Sequence, residues 1–90
     1  MKVALRVKVT GIVHGVFFRA SMAEVVRQEN VKGWVRNVAD GSVEAVLEGE
    51  QESVLKVVEW AKTGPPRARV DSVDVEQVPV KNLKGFKIAG

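Results

Sequence analysis

Residues 11–19 read Gly-Ile-Val-His-Gly-Val-Phe-Phe-Arg, two glycines around a histidine with an arginine closing the run. Glycine lets a backbone bend so that successive N–H groups converge, and a helix beginning where the run ends would add the partial positive charge of its N-terminus. Arg19 brings a planar fork of donors that can grip two phosphate oxygens and stays charged near neutral pH. Further on, Asn37 stands just before Asp40-Gly41, where a short amide could hold a water. Together these residues point to the binding of an oxyanion such as phosphate. Their spacing alone leaves plainer alternatives open: a glycine-rich turn with an incidental arginine, and an asparagine that only shapes a turn.

Other chemistries are excluded or weakened by what the chain lacks. It has no cysteine and one histidine, which removes disulfides, thiolate nucleophiles and the usual zinc clusters. The glycines at 11 and 15 are not followed by the lysine and hydroxyl of a nucleotide P-loop, which argues against a nucleoside triphosphatase. A net charge of +3 comes from 14 basic and 11 acidic residues spread along the chain. That balance suits a mixed, solvated surface as well as it suits attraction of a small anion. No apolar run approaches the roughly 18 residues of a membrane span, and the N-terminus has neither a signal-peptide core nor a transit helix. A cytoplasmic protein with no membrane partner is expected.

The elements that must position these residues follow from periodicity. Val3, Leu5, Val7 and Val9 alternate with polar residues, the pattern of a strand with one buried face. From about Ala20 to Asn30, Met22, Val25 and Val26 fall at helical spacing with Phe18, so a helix is predicted to begin at the glycine loop. Lys32 to Val38 and Ser42 to Glu48 read as strands joined through Asp40-Gly41, a hairpin signal. A second helix follows Gly49, with Val54, Val57, Val58 and Ala61 as its apolar stripe, and Gly64-Pro65-Pro66 stops it. A fourth strand runs through Val73 and Val75, and Phe86 to Ile88 gives a short last edge strand. The order βαββαβ is the ferredoxin-like arrangement: a four-stranded antiparallel sheet with two helices on one face, here with a small C-terminal addition. Ninety residues support one domain over 1–90. That fold hosts enzymes, metal carriers and RNA binders alike, so the function must come from a site.

The run Gly11 to Arg19, with Gly33-Trp34-Val35-Arg36-Asn37, then Gly41, Val43 and Gly49, closely resembles the two signature motifs of the acylphosphatases. Gly64 to Val70 resembles a third run common in that family, and the likeness extends over essentially the whole chain. The resemblance implies hydrolysis of acyl phosphates to carboxylate and orthophosphate, without metal or cofactor. By it, Arg19 matches the arginine that binds the phosphate and Asn37 the asparagine that positions the attacking water. The backbone of His14, Gly15, Val16, Phe17, Phe18 and Arg19 would bind phosphate oxygens, and Ser42 matches a hydroxyl position that helps orient the asparagine amide. In some members the terminal carboxylate, here on Gly90, also pairs with this arginine.

Two positions depart from the family pattern: Ile12 stands where a basic or polar residue is frequent, and His14 where glutamine is usual. A histidine there raises the question of how activity changes between pH 5 and 8. Two other functions fit the sequence less well. RNA modules of this fold stack bases on strand aromatics, but the chain has no tyrosine, and Phe17 and Phe18 fall in the loop and helix start. Nucleic acid is therefore not the expected partner. Acylphosphatase-like domains also occur fused to carbamoyl-transfer proteins, whereas the expectation here is a free-standing monomer acting on small acyl phosphates and releasing inorganic phosphate.

Overall fold

A computed structural model describes residues 1–89. The elements are β1 (Lys2–Ile12), α1 (Phe18–Glu29), β2 (Lys32–Asn37), β3 (Val43–Glu50), α2 (Gln51–Ala61), β4 (Arg69–Val78) and β5 (Phe86–Ala89). They form one sheet in the order β4-β1-β3-β2-β5. Neighbours pair antiparallel from β4 through β2. The expected short last edge strand, β5, pairs parallel with β2, so the sheet is five-stranded and mixed, not four-stranded and antiparallel.

The alternation read from the sequence separates the two faces. Val3, Val7 and Val9 of β1, Val35 of β2, and Val43, Ala45 and Leu47 of β3 point to one side. There they bury Phe18, Met22 and Val26 from α1 and Val54, Val57, Val58 and Ala61 from α2. The opposite face is charged. Glu44 sits between Arg6 and Arg36, with the Arg36 pair at 2.6 Å, and is nearly inaccessible. Burial alone would push the Glu44 carboxyl up, but hydrogen bonds and charge from Arg36 and Arg6 outweigh it and hold the carboxyl below its ordinary range.

The parallel fifth strand has a physical cause on that charged face. Strands β4 and β5 lie at opposite edges, so the connection 79–85 must cross the end of the sheet. Glu48, fully buried, holds it there by accepting hydrogen bonds from the backbone N–H groups of Lys81 and Leu83, each at 2.7 Å. Asn82 Oδ1 accepts from Lys2 Nζ at 2.9 Å. A carboxylate taking two backbone N–H groups satisfies itself and the segment together.

The first strand runs through Gly11 to Ile12, two residues into what reads in sequence as loop. Its register against β4 shifts between Thr10 and Gly11, leaving Asp71 of β4 as the extra, unpaired residue of a bulge. Gly11 has a φ of 133°, and a Cβ there would stand 2.1 Å from the Arg69 carbonyl oxygen. Only glycine fits. Helix α1 likewise begins at Phe18, before the expected Ala20, so the true connection is 13–17.

Candidate active site

Within that connection, Val13, Val16 and Phe18 point into the core while His14, Gly15 and Phe17 stay outside. Inward anchors of this kind fix the course of the loop from beneath. Phe18 is held hardest: its ring centroid lies 5.2 Å from that of Trp60, and a Cβ at Gly64 would come within 2.7 Å of it. The Gly-Pro-Pro run thus leaves room for the residue that opens α1.

Gly15 and Phe17 both take positive φ, 70° and 65°. Left-handed residues at alternate positions turn neighbouring N–H groups toward one side, the geometry of a backbone nest for an anion. Phe17 directly precedes α1, whose N-terminus has no side-chain cap. The N–H groups of Gly15, Val16, Phe17 and Phe18 donate to no acceptor among the described residues. The helix end, which favours negative charge, opens onto the same place.

A cavity of about 320 Å³ lies there, lined by Val13, Gly15, Phe17, Phe18, Arg19, Ala20, Asn37 and Ile88. Arg19 and Asn37, on different elements, therefore face one space. Both are half-buried. Asn37 Oδ1 is buried and makes no hydrogen bond within the described protein. Leaving a buried acceptor unmet costs about 1–3 kcal/mol, so the Asn37 amide is held in this position against the interest of stability.

The other expected site residues lie around this centre in different ways. His14 does not line the cavity; its Nε2 is 2.8 Å from the Ser42 carbonyl oxygen. A carbonyl can only accept, so Nε2 carries the hydrogen and ties the loop to the β2–β3 hairpin. Ser42 is buried, and its hydroxyl donates to Asp40 Oδ1 at 2.6 Å, not to the Asn37 amide. Asp40 Oδ1 also accepts from the Ser42 N–H at 2.9 Å, and its other oxygen pairs with Lys8 Nζ at 2.9 Å. These contacts, the Ser42 hydroxyl first and then Lys8, hold the Asp40 carboxyl far below the ordinary carboxylate range. Ser42 thus shapes the turn that follows Asn37. Val16 contributes its side chain to the core. The expected pairing of Arg19 with the terminal carboxylate falls on Gly90, outside the described residues.

Three cavity residues, Val13, Ala20 and Ile88, are not among the site residues expected from the sequence. Ile88 could not have been: alternation puts it on the face of Phe86, but nothing local says which edge the last strand joins. Among the described residues, no group of three His, Cys, Asp or Glu side chains could hold a metal ion, and no helix is long and apolar enough to cross a membrane.

Residues 5–88 match the family model described as acylphosphatase. An acylphosphatase of Pyrobaculum aerophilum is 55% identical over 82 residues, covering 89% of this chain and 86% of that protein. One from Thermococcus kodakarensis is 46% identical over 89 residues, covering 99% and 98%. Among solved structures, an acylphosphatase from Coxiella burnetii superposes with a TM-score of 0.94 at 36% identity, covering 98% of this chain and 93% of that one.

Proposed function

Because this chain belongs to the acylphosphatase family of hydrolases, we propose that the cavity at Arg19 and Asn37 is where the carboxyl–phosphate bond of an acyl phosphate is hydrolysed. Arg19 and the backbone of 14–19 bind the phosphoryl group, and Asn37 positions the attacking water. The observation that carries this reading is the unmet, buried Asn37 Oδ1 beside the arginine and the uncapped helix start. The Asn37 amide on that wall can hydrogen-bond a water and aim its lone pair at phosphorus.

The water oxygen bonds to phosphorus while the bond from phosphorus to the acyl oxygen breaks, and the electron pair leaves on the carboxylate. One water hydrogen stays as P–OH and the other passes to a phosphoryl oxygen of the substrate, giving a carboxylate and dihydrogen phosphate. Asn37 is no base, and none is needed, because a carboxylate is a good leaving group and phosphoryl transfer responds chiefly to positioning and charge stabilisation. Arg19 and the N–H groups supply that stabilisation. Ser42 supports Asn37 through the turn it closes with Asp40, and His14 through its bond to the Ser42 carbonyl.

The same reading has the single domain working as a monomer in the cytoplasm on small acyl phosphates, independently of metal and nucleic acid. Phosphate release from acetyl phosphate in the presence of a chelator tests it. The parent protein is expected to turn over, and Arg19→Ala to lose both turnover and inhibition by inorganic phosphate. Equal rates in the two proteins would sink the assignment.

A further inference from the structure

An acyl phosphate needs a place for its acyl group as well as for its phosphoryl group. At about 320 Å³, the cavity stands at the small end of the range that encloses a whole small molecule, about 300–1,000 Å³. Apart from Arg19 and Asn37, every side chain on its wall is a hydrocarbon. Val13 and Phe18 are committed to the core, which leaves the small, exposed Ala20 and two large side chains, Phe17, 72% exposed, and Ile88, 46% exposed, as the apolar surface a ligand can meet.

Phe17 is anomalous twice over. Its φ of 65° is left-handed, and the other non-glycine residues with positive φ among those described, Asn30 and Asn82, are both asparagine, a type that tolerates the conformation. Its ring is also turned to solvent although nothing in the fold requires an aromatic there. Strain and exposure at one residue, on the rim of a cavity, make the kind of outlier from which function is argued.

On the reading of this cavity as the site of acyl phosphate hydrolysis, we propose that Phe17 and Ile88 form an apolar jaw for the acyl group, selecting acyl phosphates with an aromatic or branched aliphatic acyl part over small or polar ones. The wall offers such a group hydrocarbon to bury against and offers a polar acyl group no side-chain partner beyond Arg19 and Asn37, which the phosphoryl group and water use. The two residues come from the loop before α1 and from the parallel fifth strand. Specificity therefore depends on the strand that departs from the simple four-stranded arrangement.

The experiment compares kcat/KM for benzoyl phosphate and acetyl phosphate, with inhibition by inorganic phosphate as a separate reading of the loop. The parent is expected to favour benzoyl phosphate by about tenfold or more, the scale at which apolar pockets discriminate. Phe17→Asn, which suits the left-handed backbone, and Ile88→Ser are each expected to lower that ratio by about tenfold, while Phe17→Tyr keeps it. A parent without the preference overturns the jaw. So do variants that slow both substrates alike, as a merely structural role would. A parent that hydrolyses neither substrate overturns the activity itself, a result distinct from an unmoved ratio.

Discussion

Asn37 lines the cavity and its amide oxygen is buried without a partner, so removing the side chain should separate activity from stability. Asn37→Ala is expected to lower kcat by about 10²–10³, the scale of losing one well-placed polar group in an active site. Inhibition by phosphate should persist, and the melting temperature should stay level or rise, since an unmet acceptor is gone. A clear fall in melting temperature with normal kcat would contradict this. Arg19→Lys keeps the charge and loses the planar fork, and should reduce kcat/KM by about 10²-fold; near-parental activity would rule out a two-oxygen grip. Arg19 and Asn37 stand out in the sequence because the motifs that carry them are local and punctuated by glycine, and the structure brings both to one cavity. The contacts of His14 do not stand out, because its partner Ser42 arrives from a hairpin 28 residues away. The family resemblance points the Ser42 hydroxyl at the Asn37 amide, whereas Asp40, two residues back, takes it as a stronger acceptor.

Elements were legible where their signals were short-range. Asp40-Gly41 turns the β2–β3 hairpin as its chemistry demands, with the Val38 N–H donating to Ser42 O at 2.8 Å and Gly41, at a φ of 94°, closing the turn. The apolar stripes of both helices also stand where periodicity put them. The fate of the last strand was not legible, because it depends on Glu48 reaching backbone groups more than thirty residues later in the chain. A glutamate in the middle of a strand gives no sign of that. Glu48→Ala should leave two N–H groups unmet and destabilise the protein by about 2–4 kcal/mol, as measured by urea unfolding. Amide exchange should rise most in 79–89. Gly33→Ala tests a different constraint. With a φ of 137° and a Cβ that would lie 1.8 Å from Val46 O, it should cost about 3 kcal/mol; a neutral result would mean that β2 and β3 can part locally.

At the scale of the whole molecule, Asp40 and Glu44, the two carboxylates with clearly lowered pKa among the described residues, link stability to pH in one direction. A folded-state pKa below the unfolded value means that the native state binds fewer protons than the unfolded one. Their contribution is therefore complete above the unfolded value of about 4 and is lost as pH falls through the folded values. The melting temperature should be flat from pH 7 to about 5 and fall below about 4. Glu44→Gln should flatten part of that fall; an identical acid limb in the variant would remove Glu44 from the account. The overall architecture was legible as far as four strands and two helices sharing one core, since burial follows from alternation. The mixed character of the sheet emerged only from the path between its two edges. That path bears on biosynthesis. A chain grows from its N-terminus, so a nascent molecule carries Arg19 and Asn37 long before Ile88, and the cavity they share gains its last wall only when residues 86–89 have left the ribosome and docked beside β2. Closure of that cavity therefore waits on the docking of β5, with the β2–β3 hairpin already made and one side still open.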